Sequence, residues 1–232
     1  TKLLTMLGNN YTLKIANSDD LEKIVDLHLA SFTADEHIPV LIGEHYVKSN
    51  YKWLLSHKNA FILIARDRER IIGLQSVSLR SFELPMFIAC FPLLVFSMLK
   101  KPQLIINRKL WKRLLRVTHK LKSGKKKYNG NIAHFIIGIV DAEYRGKGIF
   151  SAIVNAAVQK CREYNCKAIY TGIYKKNIKT REIFIKFGWK ECPELETYET
   201  CYYSIDLTAP PEPDIMKIRG NDKILYEIPA GK

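Results

Sequence analysis

Apolar residues recur with changing period along the 232-residue chain, and each change of period marks an element. Tyr11 to Ile15 alternates, as a half-buried strand does. Behind Asn17-Ser18-Asp19-Asp20, the apolar positions Leu21, Ile24, Val25 and Leu27-His28-Leu29 follow helical spacing, with Asp19 and Glu22 placed as a capping box. A second helix is predicted from about Glu44 to Ser56, turning Val47, Tyr51, Leu54 and Leu55 inward. Phe61 to Ala65 and Ile71 to Leu79 flank the turn Asp67-Arg68-Glu69-Arg70 and read as a hairpin. Gly73 inside its second strand signals a bulge or a close backbone approach.

Residues 81–129 break this rhythm. Leu84 to Leu99 is an uncharged apolar run interrupted by Pro85 and Pro92. A basic amphipathic helix is predicted next, with Leu110, Leu114, Val117 and Leu121 on one side, Trp111 and Leu115 beside them, and Lys109, Lys112, Arg113, Arg116 and Lys120 opposite. From residue 131 the rhythm becomes β-α-β-α-β. Ile132 to Val140 is mostly apolar, which predicts a central strand buried on both faces. Arg145-Gly146-Lys147-Gly148 leads into a helix from about Ile149 to Tyr164, whose face is Ile153, Val154, Ala157 and Cys161. Ala168 to Tyr174 is a strand, Thr180 to Phe187 a helix ending at Gly188, and Cys201 to Leu207 a last strand. Residues 1–208 are expected to form a single domain, and the tail 209–232 a small hairpin around Arg219-Gly220-Asn221-Asp222.

Charge sharpens this division. The net charge is +14, but twelve Lys and Arg lie between Lys100 and Lys127, leaving 25 basic against 23 acidic residues elsewhere. No Asp or Glu occurs from Leu84 to Val140. The basicity therefore belongs to one segment, and no specific nucleic-acid partner is expected. Five cysteines without a C-x-x-C pair argue against a zinc site or a disulfide framework and fit a reducing cytoplasm. Thr1-Lys2-Leu3-Leu4 lacks the apolar stretch of a secretory signal.

A strand, a basic glycine loop and a helix start make up an arrangement for holding phosphate. The first N–H groups of a helix have no internal partner, the macrodipole adds positive charge there, and glycine lets backbone approach phosphate oxygens. A Walker A loop would need G-x-x-x-x-G-K-[ST], which is absent. A dinucleotide fingerprint would need a third glycine where Ser151 stands, and an acidic residue closing the next strand, where Tyr170-Thr171-Gly172-Ile173 has none.

Val140-Asp141-Ala142-Glu143-Tyr144-Arg145-Gly146-Lys147-Gly148-Ile149 instead resembles the acetyl-CoA loop of the GNAT N-acetyltransferase superfamily, [RQ]-x-x-G-x-[GA]. Arg145 and Gly148 match, whereas Phe150 stands where Gly or Ala is usual. Asn177-Ile178-Lys179-Thr180-Arg181-Glu182-Ile183-Phe184-Ile185-Lys186-Phe187-Gly188-Trp189 resembles the family's N-x-x-[AS]-x-x-x-Y-x-x-x-G-F segment, in the right order and at the right separation. The resemblance covers roughly residues 9–79 and 131–207. It implies an α/β (α+β) fold with a mixed central sheet flanked by helices, and a helical insertion at 81–129 between the third and fourth strands.

The resemblance also implies a mechanism. The strand ending Gly138-Ile139-Val140 would splay from the one ending Ile173-Tyr174, and the pantetheine of acetyl-CoA would lie in the gap. Ile139, Val140, Arg145, Gly146, Lys147, Gly148, Ile149, Phe150 and Asn177 would hold the coenzyme. An amine on a small molecule, amino sugar or protein would attack the thioester directly through a tetrahedral intermediate, its oxyanion stabilised by a backbone N–H near Ile139 or Val140. The family's usual general acid, a tyrosine, falls at Phe184, which has no proton to give. Tyr174, Tyr198 or Tyr203 would serve instead, or the thiolate leaves unassisted. Candidate bases are His134, Glu36 and His37; His134 reads equally well as a satisfied strand histidine, and Tyr198, Tyr202 and Tyr203 as core and edge aromatics. An acyl-CoA-binding module with little catalysis is the competing reading.

For residues 81–129 a helical cap with a solvated basic side competes with a functional role. The sixteen uncharged residues would span about 24 Å as a helix, short of the ~30 Å hydrocarbon core, so a crossing segment is not expected. An anionic membrane surface met through 84–127, with a peripheral cytoplasmic location and a lipid-linked or anionic acceptor, is the functional alternative.

Overall fold

The computed structural model of the chain describes residues 4–5, 11–108, 110–112, 131–208, 218–220 and 223–226. Strands β1 (Leu4–Thr5), β2 (Thr12–Ile15), β3 (Ala60–Asp67), β4 (Arg70–Ser78), β5 (Ile132–Val140), β6 (Ala168–Tyr174), β7 (Lys190–Glu191) and β8 (Thr200–Asp206) form one mixed sheet in the order β1-β2-β3-β4-β5-β6-β8-β7. Only β5 and β6 pair in parallel; the other neighbours are antiparallel. Helices α1 (Leu21–Ser31), α2 (Ile38–Ile42) and α3 (Glu44–Ser56) precede β3, and α4 (Glu83–Lys100) lies between β4 and β5. Helix α5 (Ile149–Glu163) joins β5 to β6, and α6 (Ile178–Lys186) follows β6. A separate hairpin, β9 (Ile218–Gly220) with β10 (Lys223–Tyr226), lies in the tail.

Alternation along the strands fills two cores. On β3, Phe61, Leu63 and Ala65 join α5, through Ile149, Ile153 and Ala157, and α6, through Phe184. Ile62 and Ile64 face the other way, onto Ile24 and Val25 of α1 and Val47, Tyr51 and Leu54 of α3. A third cluster, Ile42, Leu94, Leu104 and Leu110, ties α4 to α2.

Several local expectations are corrected by the structure. The capping box at α1 is Asn17 with Asp20, not Asp19 with Glu22: a 3₁₀ turn over Ser18–Asp20 precedes the helix. Asp20 is then buried and anchored by Lys14 at 3.1 Å and Arg66 at 3.4 Å. The strand β5 is central, but it is not buried on both faces throughout: Ile136 and Ile137 are half-buried and Gly138 is exposed. The run 84–99 is one continuous helix despite its prolines. Pro85 falls in the first turn, where an N–H has no intrahelical partner, and Pro92 lies on the exposed side. After it a helix begins at Arg108, with the Leu110 N–H donating to Asn107 Oδ1 at 3.1 Å. Trp111 is 44% exposed, so it lies outside the buried cluster that holds Leu110. The basic side chains from Arg113 onward lie outside the described residues.

Two register shifts shape the sheet's centre. Ala65 pairs with Gly73 but Arg66 with Ile71, so Ile72 is the extra residue on β4. Ser76 pairs with Ile137 but Val77 with Phe135, so Ile136 is the extra residue on β5. At this second shift the Ser76 hydroxyl accepts from the Ile137 N–H at 3.1 Å.

A side chain at Gly73 would place Cβ 2.8 Å from Ile153 Cδ1 and 3.1 Å from the Ile139 carbonyl oxygen. Gly73→Ala is expected to cost about 1–3 kcal/mol in urea unfolding. Adding Ile153→Val should recover part of the loss, and strict additivity of the two substitutions would contradict this packing.

Candidate functional site

The sheet opens at one place. β5 and β6 pair over Ile132–Phe135 and Ala168–Thr171 and then separate, leaving the facing edges of Ile136–Val140 and Gly172–Tyr174 without a ladder between them. Each strand is still held on its far edge, β5 by β4 up to the Gly73–Val140 pair and β6 by β8 up to the Tyr174–Thr200 pair. An extended chain with amide groups can pair with such an edge as a strand does.

At the end of β5 the glycine loop delivers the start of α5. Gly146 and Gly148 both adopt left-handed backbone, φ 77° and 75°. Nothing lies within 4 Å of where a Gly146 Cβ would stand, so conformation and not crowding calls for glycine there. Gly148 is the N-cap of α5 and no side chain caps the first turn, the arrangement suited to an anion. The Arg145 Nε–H donates to the Val140 carbonyl at 3.2 Å, and the Lys147 ammonium lies 4.7 Å above the Tyr144 ring. These contacts keep both cations beside the turn.

The loop is clamped from outside by residues of the β3–β4 turn. Arg70 donates to Asp141 at 2.7 Å and to Glu143 at 2.8 Å, and the Tyr144 hydroxyl donates to Asp67 at 2.9 Å. The Glu143 carboxylate, then Asp141, holds the Arg70 guanidinium more firmly protonated than usual. The sequence signal was present: Asp67 and Arg70 close the hairpin whose neighbour strand β5 ends just before Asp141.

The two departures from the family pattern meet. Phe150 and Phe184 make an edge-on contact at 6.0 Å, and Phe184 packs on Trp189 at 4.8 Å. Phe150 fits because Gly138 has no side chain: a Cβ there would lie 2.8 Å from the Phe150 ring. Phe184 is buried in this cluster and places no proton donor beside the gap.

The remaining candidates are spread out. His134 stands one residue before the strands part, with Phe82 at 5.9 Å and Tyr170 at 6.4 Å between ring centres. Tyr174 is four residues beyond Tyr170, about 13 Å of strand, so His134 and Tyr174 are not brought together. Asn177 caps α6, accepting from the Thr180 N–H at 3.3 Å, and its own N–H donates to the Tyr174 carbonyl. Tyr198 is 95% exposed. Tyr202 is half-buried on β8, and its ring would lie 3.1 Å from a Cβ at Gly172. Tyr203 is buried, with its hydroxyl accepting from Arg181 at 2.9 Å and donating to Glu191 at 3.0 Å. Those charges border a shallow cavity beside β8, whose Lys175 and Arg181 are matched by Glu196 and Glu191.

Glu36 and His37 belong to a different assembly. Lys176, just past β6, reaches Glu36 at 2.9 Å, tying the α1–α2 loop to the open end of the strands. That lysine, then Thr33, holds the Glu36 carboxyl below its usual range. His37 Nδ1 lies 3.1 Å from His28 Nε2, and His28 Nδ1 lies 2.7 Å from the Tyr51 hydroxyl. Burial lowers His28 from 6.5 to about 4 and pushes the Tyr51 phenol up. His28 is therefore neutral at neutral pH, one ring nitrogen donating and the other accepting, which gives the Tyr51–His28–His37 chain a direction. Spacing alone gave no sign of it, since the three residues come from α1, the following loop and α3.

Comparison with known proteins bears on the same elements. Residues 120–189 match the family model described as the Acetyltransferase (GNAT) family. The spermine/spermidine N(1)-acetyltransferase of Bacillus subtilis is 34% identical over 58 residues, a match covering 25% of this chain and 38% of that protein. The GNAT domain of PAT from S. lividans superposes with a TM-score of 0.57 at 12% identity, covering 89% of this chain and 96% of that one. Arabidopsis thaliana NAA60, solved in complex with acetyl-CoA, gives 0.53 at 11% identity over 86% and 99%. At these identities the superpositions establish the fold.

The buried histidine predicts an acid response. Above pH 6.5, His28 is neutral in both folded and unfolded chains and adds no pH dependence. As pH falls from 6.5 towards 4, the unfolded chain takes up a proton that the folded one refuses, so stability drops. The loss attributable to this group is at most about 3 kcal/mol. Urea midpoints measured across that range should fall, and the His28→Gln variant should lack this component of the slope.

Proposed function

From a chain that has the GNAT fold and carries that family's segment over residues 120–189, we propose that this protein is an N-acetyltransferase using acetyl-CoA as donor and a primary amine as acceptor. The observation that carries the reading is the opening between β5 and β6 beside an uncapped, glycine-led helix start. The donor residues are chemically apt. Gly146 and Gly148 leave the first amides of α5 accessible, Arg145 and Lys147 supply positive charge for a diphosphate, and the unpaired edge of Ile136–Val140 suits the amide groups of pantetheine. The relative named for spermine and spermidine supports an amine acceptor.

In this reaction the amine nitrogen attacks the thioester carbon, a C–N bond forms, the C–S bond breaks, and the electron pair leaves on sulfur. The nitrogen loses one proton in the process. Backbone N–H groups at the end of β5 would stabilise the oxyanion. With Phe184 buried among aromatic rings, the thiolate leaves without a proton from that position. A CoA thiolate is a stable enough leaving group for this route.

A second reading, the same enzyme working at the cytoplasmic surface of a membrane, is favoured by one observation: the outer side of α4 is apolar and exposed.

Isothermal titration with acetyl-CoA and a thiol-release assay over a panel of amines test the main reading together. Binding with amine-dependent thiol release is the expected result. Binding without release would identify an acyl-CoA-binding module instead. Gly148→Glu puts a carboxylate at the helix start and should abolish coenzyme binding while the fold persists by circular dichroism; binding undiminished in that variant would remove the site from consideration.

A further inference from the structure

The helix α4 is apolar on every side, yet only Cys90 and Leu94 among its eighteen residues are buried. Its inner side is well occupied. Leu94 joins Ile42, Leu104 and Leu110, with Phe87 and Met98 packed against them, and the Ser49 hydroxyl of α3 donates to Cys90 Sγ at 3.4 Å. Its outer side carries Ile88, Phe91, Val95 and Leu99, which recur at steps of three and four residues and so form one stripe, with Phe96 on its flank. Ile88 is 61% and Leu99 76% exposed. Ile105, Ile106 and Trp111 continue the exposed apolar surface past the helix end. Exposed apolar residues that line one helix side in this way mark an interaction site.

Charge identifies the partner. Lys100, Lys101, Arg108 and Lys112 are exposed at the end of the stripe, and the Lys100 ammonium lies 4.5 Å over the Phe96 ring. Not one acidic residue occurs between Leu84 and Val140, and the sequence adds further lysines and arginines up to Lys127. An apolar stripe bordered by cations matches the boundary of an anionic bilayer, where acyl chains take the stripe and headgroup phosphates take the charges. A polyanion without acyl chains would leave Ile88, Val95 and Leu99 in water.

We propose that α4 and the residues after it seat this protein on an anionic phospholipid surface, with Ile88, Phe91, Val95 and Leu99 entering the interface. The helix is two residues longer than the uncharged run, and at eighteen residues it is, by length and composition alone and contrary to the expectation from the sequence, long and apolar enough to cross a bilayer. It lies on the surface because its inner side is bound to α2 and α3, which a crossing helix would have to abandon. The proposal stands on the exposed stripe and its cations, independently of any acyl transfer.

Flotation with vesicles tests it directly. Vesicles containing phosphatidylglycerol in phosphatidylcholine should carry the full chain upward at low salt, less at high salt, and pure phosphatidylcholine vesicles should not. The double variant Phe91→Asp with Val95→Asp, both at exposed positions, should lower the bound fraction by about tenfold or more. Lys100→Glu with Lys101→Glu should do the same on anionic vesicles. Unchanged circular dichroism and acetyl-CoA titration would show that the variants remain folded. Absence of flotation, equal flotation on neutral vesicles, or flotation untouched by Phe91→Asp with Val95→Asp would overturn the proposal. So would a dimer in sedimentation velocity that the same variant dissolves while vesicles stay unbound.

Discussion

A parallel pair of strands that stays paired for four residues and then parts is the constraint on which this molecule is organised. Separated strands leave polar backbone edges that a closed sheet would satisfy, so the opening needs support from elsewhere. The support is lateral: β4 holds β5 and β8 holds β6 along nearly their full lengths, so neither strand can swing to close the gap without breaking its other ladder. The extra residue Ile136 follows directly on Phe135, the last paired residue of β5, and an inserted residue bends its strand and raises its twist. Ser76 repairs the ladder at that point with its hydroxyl. The gap is therefore built into the register of the sheet.

Around the gap, residues distant in sequence have to agree with one another. Phe150 requires the bare backbone of Gly138, and Phe184 closes over Phe150 from α6. The glycine loop keeps its course because Arg70 and Asp67, at the turn of the neighbouring hairpin, hold Asp141, Glu143 and Tyr144. These ion pairs are exposed and individually weak, so they orient the loop more than they stabilise the fold. Phe150 and Phe184 are in this light one aromatic contact beneath the gap.

The side of the sheet opposite α5 carries two further features. One is the buried Tyr51–His28–His37 chain, whose cost in desolvation shows in the depressed His28 titration. The other is α4, packed on one side and bare on the other. Both border the α1–α2 loop, which Lys176 and Glu36 fasten to the open end of β6. The protein thus presents one face on which loop amides stand at a helix start and an opposite face built from buried imidazoles and exposed hydrocarbon.

Much of the architecture was legible along the chain, because its signals are local. Alternation marked β2, the turn Asp67–Arg70 marked the hairpin of β3 and β4, helical spacing marked α1, α3 and α5, and the glycine loop announced the helix that follows. Those features depend on residues a few positions apart, and so the amino-acid sequence determines them unaided. Tertiary structure alone decided which side chains meet: that Asn17 and Asp20 make the cap, that α4 runs through Pro92, that β5 is open on one face, that Arg70 holds the loop, and that Phe150 finds Phe184. His134, a candidate base, pairs with Tyr170, and Tyr174, a candidate acid, stands four residues further along β6. Spacing carries information about the next turn of a helix or the next residue of a strand; contact across a sheet depends on register shifts and packing, which only the folded chain settles.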